Sequence, residues 1–158
     1  MKMRLHYAFL VLFVFLVSSC GEESLDNTYI IESENAITVE KELLEIINNH
    51  RLSIDHNPFI YSTVAYKHAN LHTDYMISKG DINHDNFSTR ASNVSAEVDA
   101  IEVSENVAKN YKTARIAFEN WLKSTTHRKS IEGNYTHTAI SVKKDNNGEF
   151  YFTELFYK

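Results

Sequence analysis

The apolar positions change period twice along the chain. Val39, Leu43, Leu44, Ile46 and Ile47, with His50, recur every three or four residues, which predicts an amphipathic helix over 39–52 with Thr38 as its cap. Asn57-Pro58 interrupts that pattern. Ser62 can cap a second helix over 62–79, with Val64, Ala65, His68, Leu71, His72, Tyr75 and Met76 on one face and Gly80 as its stop. A third helix begins near Thr113 and carries Ile116, Ala117, Trp121 and Leu122. The period then falls to two. Asn147-Gly148 predicts a two-residue turn between strands 135–143 and 150–157, since both residues tolerate positive φ. On the second strand Phe150, Phe152 and Phe156 share one face while Tyr151, Leu155 and Tyr157 share the other. A strand apolar on both sides must be covered on both, so a central sheet between helical layers is expected, an α+β fold.

The N-terminal pattern is of another kind. Lys2 and Arg4 precede an apolar run from Tyr7 to Val17, too short for a spanning helix of about 20 residues but suited to an export signal. The run ends Val17-Ser18-Ser19-Cys20, which resembles the lipobox at which a bacterial signal is cut and the cysteine acquires lipid. Residues 1–19 are therefore expected to be a lipoprotein signal peptide, 20–37 an acidic tether, and 38–158 the folded domain. The expected location is the bacterial cell envelope, anchored to the membrane through lipid on Cys20. Gly21-Glu22-Glu23 further resembles a surface-export address of outer-membrane lipoproteins. Cys20 is the only cysteine, so no intramolecular disulfide is available. Cleavage removes two of the 16 basic residues and none of the 21 acidic ones, which makes the mature chain more acidic still and argues against nucleic acid as a partner. The length suits a single domain, expected as a monomer.

Most of the eight histidines read as non-functional. His50, His68 and His72 sit in helical patterns beside apolar neighbours, and His56 lies in a loop. His84 and His127 differ, because each follows a helix within a polar segment, Asp81-Ile82-Asn83 and Ser124-Thr125-Thr126. Imidazole and carboxylate are the groups that move protons or hold divalent metals near neutral pH, so His84, Glu105 and His127 are the candidate chemistry.

Six stretches bear a resemblance in register. IINNHR (46–51), AxxHTDYM (69–76), NHDNF followed by Arg90, SENV (104–107), WLKSTTHRKSI (121–131) and YTHTAISV with YFTELF resemble the CAP superfamily, also called SCP or pathogenesis-related-1-like, in its compact bacterial form. The likeness covers residues 39–157. It implies a three-layer α-β-α sandwich with a central antiparallel sheet and a groove holding two histidines and one or two acids. On this chain these match His84, Glu105 and His127. Ser104 stands where the family usually has glycine, and Ser124 where many eukaryotic members carry the second acid.

Two neutral imidazoles and one carboxylate are the ligand set of an open zinc site, so His84, His127 and Glu105 are candidate ligands for a divalent metal such as zinc, and candidate catalytic residues of a metal-assisted hydrolase. A serine nucleophile has little support, because no elbow motif flanks Ser124, Thr125 or Thr126. Glu154, on an otherwise aromatic strand face where the family often has glutamine, is expected to line the groove with His84, Glu105, Ser124 and His127. The favoured function is a non-catalytic envelope module whose groove binds a lipid, a peptide or a cell-wall fragment, with no cofactor required. A structural surface spacer is the weakest alternative, since a spacer needs no convergent polar groups.

Overall fold

The computed structural model describes residues 33–158. The signal peptide, Cys20 and most of the tether lie outside the described residues. The elements run α1 (Ile37–Ser53), β1 (Ile60–Tyr61), α2 (Thr63–Lys79), α3 (Phe87–Val98), β2 (Val103–Lys109), α4 (Ala114–Lys123), α5 (Thr125–Ile131), β3 (His137–Lys144) and β4 (Phe150–Tyr157).

The four strands form one sheet in the order β1-β3-β4-β2. β4 is central, antiparallel to β3 and to β2, whereas the two-residue β1 runs parallel to β3. The sheet is therefore mixed rather than wholly antiparallel. The parallel neighbour of β1 is a strand the chain reaches only after α2, α3, β2, α4 and α5. Helices cover both faces. Phe152 and Phe156 pack with Leu43 and Ile47 of α1 and with Ala117 and Trp121 of α4, while Leu155 and Tyr157 pack with Ala65 and Ala69 of α2 and Val94 of α3. Phe152 and Leu155 are both fully buried, from opposite faces. The result is an α-β-α sandwich.

The helix ends follow local chemistry. Ser62 accepts from the Ala65 N–H at 3.1 Å, and Gly80 closes α2 in the left-handed conformation at φ 68°. Thr113 caps α4 by accepting from Ile116 N–H. Thr38 does not cap α1, because that helix starts earlier, with Ala36 O taking the first amides. The turn after β3 also differs from expectation. Asp145 and Glu149 close a three-residue loop in which only Gly148 has positive φ, at 81°, and the Asp145 carboxylate accepts from the amides of Asn147 and Glu149. A type I turn followed by a left-handed glycine satisfies the strand twist as well as a two-residue turn does.

Residues 33–36, expected to be tether, are tied to the sheet. Asn35 bridges to Lys143, Ala36 N–H donates to Val142 O at 2.7 Å, and Ser33 N–H donates to Asp74. Asp74 also holds the buried Lys143 ammonium at 2.6 Å. At the other end of α1, Arg51 organises the loops below the sheet. Its guanidinium lies 3.7 Å over the Phe59 ring and donates to the carbonyls of Asn57, Ile131, Gly133 and Tyr135.

Candidate functional site

The site is assembled around one edge strand. Successive residues of β2 face opposite ways, so Glu105 points toward the α2–α3 layer while Ser104 and Asn106 point toward α5. Each side receives one of the two expected histidines.

On the first side, Gly80 stops α2 and the chain turns through Asp81–Asn86, where Asn83 Oδ1 accepts from Asp85 N–H at 3.0 Å. This delivers His84 to Glu105, with Nδ1 2.8 Å from Oε1. Arg90, in the first turn of α3, reaches the same carboxylate in a forked contact: Nε donates to Oε2 at 2.6 Å and Nη2 to Oε1 at 2.8 Å. Its remaining arm donates to Asp85 O, the carbonyl next to His84. His72 approaches from α2 to 3.7 Å and donates through Nε2 to Asn83 O at 2.8 Å. Burial raises the Glu105 pKa, and the hydrogen bonds from His84 and Arg90 more than offset it, leaving the carboxyl below the ordinary glutamate value. With that carboxylate ionised, His84 Nδ1 is the donor, and Nε2 has no partner among the described residues. The Glu105 side chain is 1% exposed and that of His84 53% exposed, so the imidazole is what the site presents.

On the second side, Ser124 caps α5 and its Oγ accepts from His127 N–H at 3.4 Å, fixing His127 in the first turn. Asn106 Nδ2 donates to His127 O at 3.1 Å, and Ser104 Oγ bonds Ser130 Oγ at 2.8 Å, so the serine at the family's glycine position ties β2 to α5. The His127 ring lies 6.4 Å from that of Trp121. Burial, and then the nearby charge of His84, lower the His127 pKa, which favours the neutral ring at pH 7.

His84 and Glu105 are thus in direct contact, and His127 lies across β2 from them. Among the described residues no group of three His, Cys, Asp or Glu side chains is gathered to hold a metal ion. Glu105 already accepts from Arg90 on both oxygens. As arranged, the residues do not fit a three-ligand zinc site that uses Glu105. Ser124 Oγ is occupied as a helix cap.

Glu154 does not line a groove. It is 0% exposed on the central strand, where there is no solvent face to reach, and Thr138 Oγ1 donates to its Oε1 at 3.2 Å. The histidines read as packing residues do pair internally: His50 with Glu132, and His68 with Glu97. Sequence reasoning missed Arg90 and His72 as parts of the site. A buried arginine is nearly always paired, but nothing in the pattern marked Arg90 as buried. Arg128 pairs with the acidic Glu132 at 4.0 Å, while the loop carbonyls are bound by Arg51.

The model of the CAP family, described as the cysteine-rich secretory protein family, matches residues 44–156. The chain belongs to this family. The matched span of this CAP domain contains no cysteine at all. Similar solved structures include an outer surface protein from Borrelia burgdorferi, at 19% identity and TM-score 0.69, covering 80% of this chain and 98% of that one. A cysteine-rich secretory protein from Staphylococcus aureus aligns at 16% identity and TM-score 0.66 over 77% of this chain. An extracellular SCP-domain protein from Bacillus anthracis aligns at 19% identity and TM-score 0.67, also over 77%. The aligned regions span 38% and 41% of those two longer chains. At these identities the likeness concerns the fold. No curated protein sequence matches significantly.

Proposed function

We propose that this CAP domain is a lipid-anchored module of the bacterial cell envelope that binds a ligand through the His84 and His127 imidazoles, without catalysis. The observation that carries this reading is the state of Glu105. A carboxylate that accepts two bonds from Arg90 and one from His84 is spent on positioning, and neither takes up a substrate proton nor attacks. What remains at the surface is a half-exposed His84 whose Nε2 is unpaired among the described residues and a half-buried, neutral His127. These recognise hydrogen-bond donors on a lipid headgroup, a peptide or a cell-wall fragment. The envelope location rests on the lipobox-like Val17-Ser18-Ser19-Cys20, and the names of the structural neighbours, outer surface and extracellular proteins, agree with it.

Two experiments test this reading. Cys20→Ala should abolish incorporation of labelled palmitate; wild-type labelling in the variant would refute the anchor. In a thermal-shift screen of solubilised envelope fractions, a fraction that stabilises the wild type should lose most of its effect on His84→Ala and on His127→Ala. An unchanged effect on both would place the ligand elsewhere.

A metal-assisted hydrolase is the second reading, and one observation favours it. A carboxylate on His84 Nδ1 is the outer partner that metal-binding histidines usually carry, which leaves Nε2 for a cation and makes Glu105 a support rather than a ligand. Calorimetry with zinc at neutral pH decides: binding that weakens as pH falls below about 6.5 supports this reading, and no binding removes it.

A further inference from the structure

Three buried polar atoms among the described residues have no hydrogen-bond partner: Asn106 Oδ1, Trp121 Nε1 and Glu154 Oε2. All three side chains lie on the α1/α4/α5 side of the sheet. Asn106 and Glu154 are direct cross-strand partners in the β2–β4 ladder, and Trp121 packs edge-on against Phe152, two residues along the same face of β4. The orientation of the Asn106 amide is set from outside this group, because its Nδ2 is committed to His127 O. Its Oδ1 therefore needs a donor. With Glu154 ionised, the three atoms comprise one donor, the Trp121 N–H, and two acceptors, one of them a buried anion. With Glu154 protonated they comprise two donors and the Asn106 acceptor, which has two lone pairs, so the numbers of donors and acceptor sites balance. A buried carboxylate without a full set of donors is far costlier than a neutral acid.

We infer that Glu154 is held as a neutral carboxylic acid whose hydroxyl is donated to Asn106 Oδ1, directly or through one enclosed water, so that it positions Asn106 and through it the His127 carbonyl. The groups beside Glu154 are Thr138 and Ile140 from β3 and Asn106 from β2, and the one full charge that acts on it is Arg51 of α1. Arg51 does not neutralise it, because its guanidinium is directed at four loop carbonyls. Burial drives the Glu154 pKa well above the ordinary glutamate value, with Thr138 and Arg51 opposing more weakly. A protonated glutamate has the shape of glutamine and, like it, one donating and one accepting terminal atom. Glu154 is thus a positioning residue with a built-in pH limit: its ionisation at alkaline pH would remove the donor to Asn106.

The sign of the linkage is definite. A carboxyl whose folded pKa is raised contributes stability below its unfolded value, about 4.3, and loses it as pH rises toward the folded value. The melting temperature of Glu154→Gln minus that of the wild type should therefore grow by ~5 °C or more between pH 5 and 9. A flat or falling difference would overturn the inference. Infrared spectra supply a readout that does not depend on the variant folding. At pH 7 the wild type should show the C=O stretch of a protonated carboxylic acid, which fades as pH is raised; its absence at pH 7 would overturn the inference equally. Loss of that band in Glu154→Gln assigns it to Glu154. The positioning role has its own test. The Asn106 side-chain amide protons should exchange slowly in the wild type and in Glu154→Gln but quickly in Glu154→Leu, and equal exchange in all three would show that Glu154 acts only as packing.

Discussion

Arg90→Ala should destabilise the domain by about 3–5 kcal/mol, the range for leaving one partner of a buried ion pair uncompensated. Three donations are lost, two to Glu105 and one to Asp85 O, and the carboxylate keeps only His84. Urea denaturation at pH 7 measures the effect, and a loss below about 1 kcal/mol would mean that the pair is solvated rather than enclosed. The variant should also change the acid limb of the stability curve. In the wild type the Glu105 pKa is lowered, so its contribution is present above the unfolded value of about 4.3 and disappears as pH falls through the folded value. Without Arg90 that carboxyl moves upward toward the unfolded value, the gap between the two closes, and this acid-linked loss of stability shrinks. Arg90→Lys should recover only part, because an ammonium cannot make the forked contact.

Arg51→Ala should be as severe, at about 3–5 kcal/mol, through a different mechanism. Removing the guanidinium strands carbonyl acceptors at Asn57, Ile131, Gly133 and Tyr135 and uncovers the Phe59 ring. Hydrogen bonds to a charged group contribute about 1.5–3 kcal/mol each, and exposure of the loops to water recovers part of the sum. Chemical denaturation gives the loss, and amide exchange should show it concentrated in residues 131–136, where three of the four carbonyls lie. Protection that stayed unchanged there would refute the role assigned to Arg51.

What could be read from the sequence follows the apolar period closely. α1, α2, α4 and the β3–β4 strands were legible because each buries a regular stripe or an alternating set. α3 was not, since Arg90 and Val94 alone are buried along it and both its ends are left-handed residues other than glycine, Asn86 and Asp99. β2 was hidden for a related reason: Ser104, Glu105 and Asn106 spend their polar atoms on α3 and α5, so a buried edge strand carries a solvent-like sequence. Glu154 was misplaced by the same logic in reverse, because a carboxylate reads as solvent-facing and a central strand offers no such face. His84, Glu105 and His127 emerged as candidates from their chemistry and from the family resemblance. Their pattern did not reveal that Arg90 occupies the carboxylate, which requires a contact across 15 residues of chain.

Whether two imidazoles flanking β2 form the recognition surface while Glu105 only holds His84 is decided by ring-nitrogen NMR. The protein, labelled at histidine, would be titrated with the envelope fraction that raises its melting temperature. The His84 and His127 ring nitrogens should shift together and saturate at one ligand concentration, while Arg90 keeps its guanidinium resonances and His50 and His68 stay fixed. Saturation that leaves both site rings unmoved, or that releases Arg90 from Glu105, would contradict this arrangement.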